Sequence, residues 1–197
     1  MSAPAVTRTL VLGGARSGKS GHAESLLAGH PEVRYVATGR RNSADADWDA
    51  RIDRHRRTRP EHWSTVEITS YAALPEALRD DVPTLVDDLG TWLTGALDDL
   101  HAWDSPRGTV VAAVDDLVAA VDRFDGPLVL VSPEVGLGVI PESRAGRLFR
   151  DEIGAANARL AQVCDVVTLV VAGLSVPLTR PSDGPTDRPG DRSRGTW

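Results

Sequence analysis

Residues 13 to 20 read Gly13-Gly14-Ala15-Arg16-Ser17-Gly18-Lys19-Ser20 and fit G-x-x-x-x-G-K-[ST], the pattern of a loop that wraps phosphate groups. The glycines let the backbone fold tightly, so that successive N–H groups point inward at phosphate oxygens. Lys19 is placed to reach the β- and γ-phosphates and the Ser20 hydroxyl to take a position on Mg²⁺, while the next helix adds its N-terminal dipole. All of these groups touch phosphate and none touches a base. The pattern therefore points to a nucleoside triphosphate without choosing between ATP and GTP.

A second element of the same chemistry is Thr84-Leu85-Val86-Asp87-Asp88, an apolar run ending in carboxylates. That is the shape expected of the acidic partner that holds Mg²⁺ through water beside a phosphate loop. Asp87 is the expected carboxylate, with Asp88 as the fallback.

The segment from Arg51 to Trp63 gathers five arginines around His55 in an otherwise acidic chain. Two readings stand. A charge run can be a solvated helix face. Alternatively, neighbouring guanidinium groups disfavour protonation of His55 and attract a triphosphate, leaving a neutral imidazole able to attack an α-phosphorus and expel pyrophosphate. That is nucleophilic catalysis, which divides one transfer into two. His62, between Pro60 and Trp63, ranks second as nucleophile and fits a structural or substrate-contact role. Glu134, with Gly136 and Gly138, follows an apolar strand and is either an ordinary turn or a ligand loop.

Positioning these residues requires an alternation of strands and helices. Strands are expected at Thr7–Leu12, Val33–Ala37, Ser64–Ile68, Thr84–Asp87, Pro127–Ser132 and Val166–Ala172, the last of the chain. Helices are expected at Ser20–Ala28, about Asp45–Arg57, Tyr71–Leu78, around Trp92–Leu100, around Val110–Val121, and at Ser143–Val163. This is the grammar of an α/β fold with a mostly parallel sheet, and residues 127–132 read as a central strand buried on both faces. From Arg180 the composition turns to Pro, Asp, Gly, Arg and Ser, too poor in apolar area to offset ordering. The expected organisation is one domain over 1–179 and a loosely held tail over 180–197.

The net charge of −6 argues against a duplex nucleic-acid binder. The single cysteine, Cys164, excludes an internal disulfide framework and reads as a small buried hydrophobe. No apolar stretch reaches the roughly 18 residues needed to cross a bilayer, so stable membrane insertion is not expected and the cytoplasm is the expected compartment.

With these residues assembled, the sequence resembles the bifunctional adenosylcobinamide kinase/adenosylcobinamide-phosphate guanylyltransferase family. The resemblance rests on Gly13 to Ser20 with His22-Ala23-Glu24, Tyr35-Val36-Ala37-Thr38, Arg51-Ile52 to His55 continuing through Arg59-Pro60 and His62-Trp63, and Glu134 to Glu142 with Arg144, Phe149-Arg150-Asp151 and Asn157. It implies a P-loop fold and two reactions, phosphorylation of adenosylcobinamide and transfer of GMP from GTP to the resulting phosphate. It further implies a guanylylated histidine at His55, nucleotide contacts from Arg51, Arg59 and His62, contact of Glu134 with nucleotide or corrinoid, and a homotrimer. Where the family usually has Asn before Glu-Val-Gly, this chain has Pro133, which removes a backbone donor. A one-activity kinase without a covalent intermediate, and a nucleotide-dependent switch, are the competing readings.

Overall fold

The structure is a computed structural model that describes residues 7–40 and 60–179. Its strands are β1 (Arg8–Gly13), β2 (Val33–Ala37), β3 (Trp63–Glu67), β4 (Thr84–Asp87), β5 (Leu128–Pro133), β6 (Val166–Val171) and β7 (Leu174–Leu178). Its helices are α1 (Lys19–Leu27), α2 (Ala73–Ala77), α3 (Leu89–Asp99), α4 (Val111–Asp122) and α5 (Arg144–Val163). The helix expected at Asp45–Arg57 and the tail beyond 179 lie outside the described residues.

The strands form one sheet in the order β3-β2-β4-β5-β1-β6-β7, parallel except for the antiparallel β6–β7 pair. β5 is buried on both faces, as its unbroken apolar run requires. Leu128 and Leu130 face the larger core with residues of α3, α4 and α5, while Val129 and Val131 face Ala23 and Leu27 of α1.

Local chemistry explains the helix ends. Asp88 caps α3 by accepting the Thr91 N–H at 2.9 Å, and Ser143 caps α5 by accepting the Gly146 N–H at 3.0 Å. Along α3 the buried Leu89, Trp92, Leu93, Ala96 and Leu97 recur at helical spacing, and the Trp92 indole donates to the Tyr71 carbonyl at 2.9 Å. Cys164 is buried after α5, and burial pushes its thiol up to about 12, so it packs as a hydrophobe.

One expectation is corrected. β6 is not the last strand, because Ala172 and Gly173 both take positive φ (51° and 79°) and turn the chain back into β7. A two-residue turn with positive φ at both positions matches the twist of its flanking strands. Pro177 obscures β7 in the sequence, since proline within an apolar run argues against a strand. It is tolerated because the hairpin closes on the Val171/Leu174 pair and Pro177 lies opposite Thr168 in the alternate, non-exchanging register, with its ring nitrogen toward the outer edge.

Candidate active site

Gly13 ends β1 in the middle of the sheet, and the chain passes through residues 14–18 into α1. A side chain at Gly13 has no room, since its Cβ would stand 2.5 Å from Ser17 Oγ and 2.8 Å from the Val170 carbonyl. Gly18 holds φ +94°, a conformation that L side chains rarely adopt. The loop is braced from both sides. Glu134 N–H donates to the Gly13 carbonyl at 3.1 Å, and Gly173 N–H donates to the Ser17 carbonyl at 2.8 Å. Gly18 at the N-cap of α1 offers no side chain, Ser17 Oγ accepts only the Lys19 N–H at 3.3 Å, and no acidic residue occupies the first turn, so no charge on the helix itself counters the positive end of its dipole.

Lys19 is buried at the start of α1, and Ser20 follows it. The Ser20 hydroxyl donates to Asp87 Oδ1 at 3.4 Å, so the two expected metal-site residues meet at the end of the loop although 67 positions separate them. A hydroxyl and a carboxylate are hard oxygen ligands of the kind that Mg²⁺ takes beside phosphate, and this donor set fits it. Among the described residues no cluster of three His, Cys, Asp or Glu side chains offers a separate metal cage.

The fallback carboxylate does something else. Asp88 turns into the α3 cap, and its backbone carbonyl accepts the Thr38 hydroxyl at 2.6 Å. Burial first, then the adjacent Asp87 charge, push Asp88 above the usual carboxylate range, while the Thr91 N–H pulls it back.

Glu134 sits next to the loop, but its carboxylate accepts the Gly136 N–H at 2.6 Å and so organises its own turn. From that turn Leu137, Val139 and Ile140 project, exposed by 83%, 94% and 65%. Arg147 fixes the far end by donating to the Pro141 and Glu142 carbonyls. Pro133 costs no ladder bond. β4 stops at Asp87, opposite Val131, so the position of the missing N–H has no strand beside it, and the Pro133 carbonyl accepts from Asn157 Nδ2 at 3.1 Å.

His62 immediately precedes β3, whose first residue Trp63 pairs with Val33 at the start of β2. The phosphate loop lies at the opposite end of the strands and four strands across, which at ordinary strand spacings is roughly 20 Å or more. Within one chain the fold does not bring His62 to the loop; its ring makes an edge contact with Trp63 at 6.5 Å. Arg51, His55 and Arg59 lie outside the described residues. Tyr35 went unassigned in the sequence although its hydroxyl donates to Asp87 Oδ2 at 2.5 Å. The signal was available only as the residue-type pattern Tyr35 to Thr38, because the contact depends on β2 and β4 being neighbours.

A phosphate loop at the carboxyl end of a mostly parallel sheet, with a serine and a strand-end aspartate side by side, defines an enzyme of the P-loop class that works on nucleoside triphosphates. The type III secretion ATPase of pathogenic bacteria has a similar fold, with a TM-score of 0.51 at 13% identity over 87% of this chain and 56% of that one. The chain belongs to the cobinamide kinase / cobinamide phosphate guanyltransferase family, whose model matches residues 9–178. It is 40% identical over 181 residues to the bifunctional adenosylcobalamin biosynthesis protein CobU of Escherichia coli, covering 86% of this chain and 98% of that protein. It is likewise 41% identical over 182 residues to CobU of Salmonella typhimurium, covering 86% and 98%. Against CobP of Pseudomonas aeruginosa the identity is 40% over 178 residues, covering 87% and 96%. No helix among the described residues is long and apolar enough to cross a membrane.

Proposed function

We propose that this chain carries out both reactions for which its family is named. In the first, the hydroxyl of the aminopropanol arm of adenosylcobinamide attacks the γ-phosphorus of a nucleoside triphosphate, ATP or GTP, and the diphosphate leaves. In the second, the His55 imidazole attacks the α-phosphorus of GTP and pyrophosphate leaves; the adenosylcobinamide phosphate then takes GMP from His55, giving adenosylcobinamide-GDP and restoring the imidazole. Splitting the second transfer this way needs a nucleophile that is neutral near pH 7, which the arginines around His55 favour.

In this reading the backbone of Gly13 to Gly18 cradles phosphates, and Lys19 neutralises charge that develops on the transferred group. Ser20 and Asp87 would hold Mg²⁺, which when bound neutralises phosphate oxygens. Glu134 fixes the ledge of Leu137, Val139 and Ile140 at the acceptor's side of the loop, and Arg51 and Arg59 contribute nucleotide contacts; His62, distant from the loop of its own chain, contributes its contact to nucleotide held by a neighbouring subunit. We place the protein in the cytoplasm as a homotrimer, with its work done on small molecules and not on nucleic acid.

The observation that carries the reading is the meeting of Ser20 and Asp87 at the phosphate loop within a chain matched by the family from residue 9 to 178. The test is incubation with GTP labelled at the α-phosphorus. Acid-labile label should remain on the denatured protein and be absent from His55→Ala, which should still phosphorylate adenosylcobinamide. Label that persists in His55→Ala refutes the assignment; a wild-type protein that phosphorylates but never labels is a one-activity kinase.

A further inference from the structure

We propose that Tyr35 is a positioning residue for the metal-binding carboxylate, its hydroxyl fixing one oxygen of Asp87 so that the other stands beside Ser20; this rests on the reading of Asp87 given above. Tyr35 lies on β2, two residues before Ala37, the register partner of Asp87 on β4. In a parallel pair, residues at even separations share a face, which puts the Tyr35 and Asp87 side chains diagonally across the same side of the sheet. The contact is closed: the phenol donates to Asp87 Oδ2 at 2.5 Å, and the Ser20 hydroxyl reaches Oδ1 at 3.4 Å.

Tyr35 is 1% exposed, and its ring packs 6.5 Å from that of Trp63 in the core beneath α1. That packing locks the direction of the hydroxyl. A carboxylate at a strand end can rotate about its last bond; a buried donor on one oxygen removes that freedom. Outer groups that orient a metal ligand in this way commonly change metal affinity by about 10- to 100-fold when removed.

The experiment is calorimetric titration of the full chain with ATP and with GTP, each in Mg²⁺ and in EDTA, for wild type, Tyr35→Phe and Asp87→Asn. Phenylalanine keeps the ring and its packing, and melting without ligand checks that each variant is folded. Mn²⁺ binding read by its spin resonance provides a second measure. Tyr35→Phe should lose about 10-fold in nucleotide affinity with metal and in Mn²⁺ binding, with affinity in EDTA unchanged, while Asp87→Asn should abolish the metal enhancement. If Asp87→Asn loses the enhancement and Tyr35→Phe keeps it, Tyr35 is only core and the proposal is overturned with the metal site intact. If Asp87→Asn also keeps it, the reading of Asp87 fails and this proposal with it. An equal loss in Mg²⁺ and in EDTA from Tyr35→Phe marks a packing defect and likewise overturns it.

Discussion

The Gly173 N–H donates to the Ser17 carbonyl at 2.8 Å, so the turn of the last hairpin forms one wall of the phosphate loop. Gly173 has φ +79° and open space where a Cβ would sit, so Gly173→Ala introduces backbone strain without a clash. That strain costs about 1–2 kcal/mol. The expected result is a lower melting temperature together with weaker nucleotide affinity, read by melting with and without ATP. Unchanged affinity in a destabilised variant would show that the brace supports only the fold.

Lys19→Ala should retain the fold and lower the turnover of adenosylcobinamide phosphorylation by about 100-fold or more, the usual scale for removing one group that stabilises developing charge. Steady-state kinetics on both reactions also decide whether one loop serves both, in which case GMP transfer falls in parallel.

Asp88 should separate capping from charge. Asn caps a helix as well as Asp does, so Asp88→Asn keeps the bond from the Thr91 N–H and removes a carboxylate that burial disfavours. Its melting temperature should equal or exceed that of wild type. Asp88→Ala loses the cap and should cost about 1 kcal/mol, measured by denaturant unfolding.

Gly90 carries no side chain because Pro133 is in the way. A Cβ there would stand 2.7 Å from Pro133 Cγ, so Gly90→Ala should destabilise by about 1–3 kcal/mol despite the better helix propensity of alanine. Pro133→Ala in the same chain should recover much of that loss, and a double-mutant cycle measures the coupling.

The start of β1 is clamped to the start of β6 by the Arg8 guanidinium, which donates to Asp165 Oδ1 at 3.1 Å and Oδ2 at 3.3 Å. This holds the Asp165 carboxyl below the usual carboxylate range. A carboxyl whose folded value is depressed adds stability above its unfolded value, near 3.9, and loses it as pH falls through the folded value. The melting temperature of Asp165→Asn should therefore lie a few degrees below wild type at pH 7, and the gap should close on acidification to about pH 3. The pair is exposed enough that the gap should also shrink in high salt.

Much of this fold is legible from residue order. The limits of β2 and β4 coincide with the sequence expectation, because a run of β-branched and apolar residues bounded by polar or turn residues is a local signal. The loop at residues 13–20 and the strand-end Asp87 are equally legible as short motifs, and the structure brings Ser20 beside Asp87. β7 escaped because Pro177 contradicts the pattern that surrounds it. The bond from Tyr35 to Asp87 escaped for a different reason: it joins residues 52 apart, and nothing in either local stretch states that β2 will lie beside β4. His62 shows the converse, for it is close in sequence to the arginine cluster yet sits at the opposite end of the strands from the loop.

Pro177 has a consequence beyond its own hairpin. A sheet edge that offers a full row of donors and acceptors invites a foreign strand, and a ring nitrogen facing outward breaks that row midway along the last strand. Copies of this chain are thereby discouraged from zipping together backbone to backbone into fibres, even though the apolar side chains of Leu174, Val176 and Leu178 are exposed on the face of that strand.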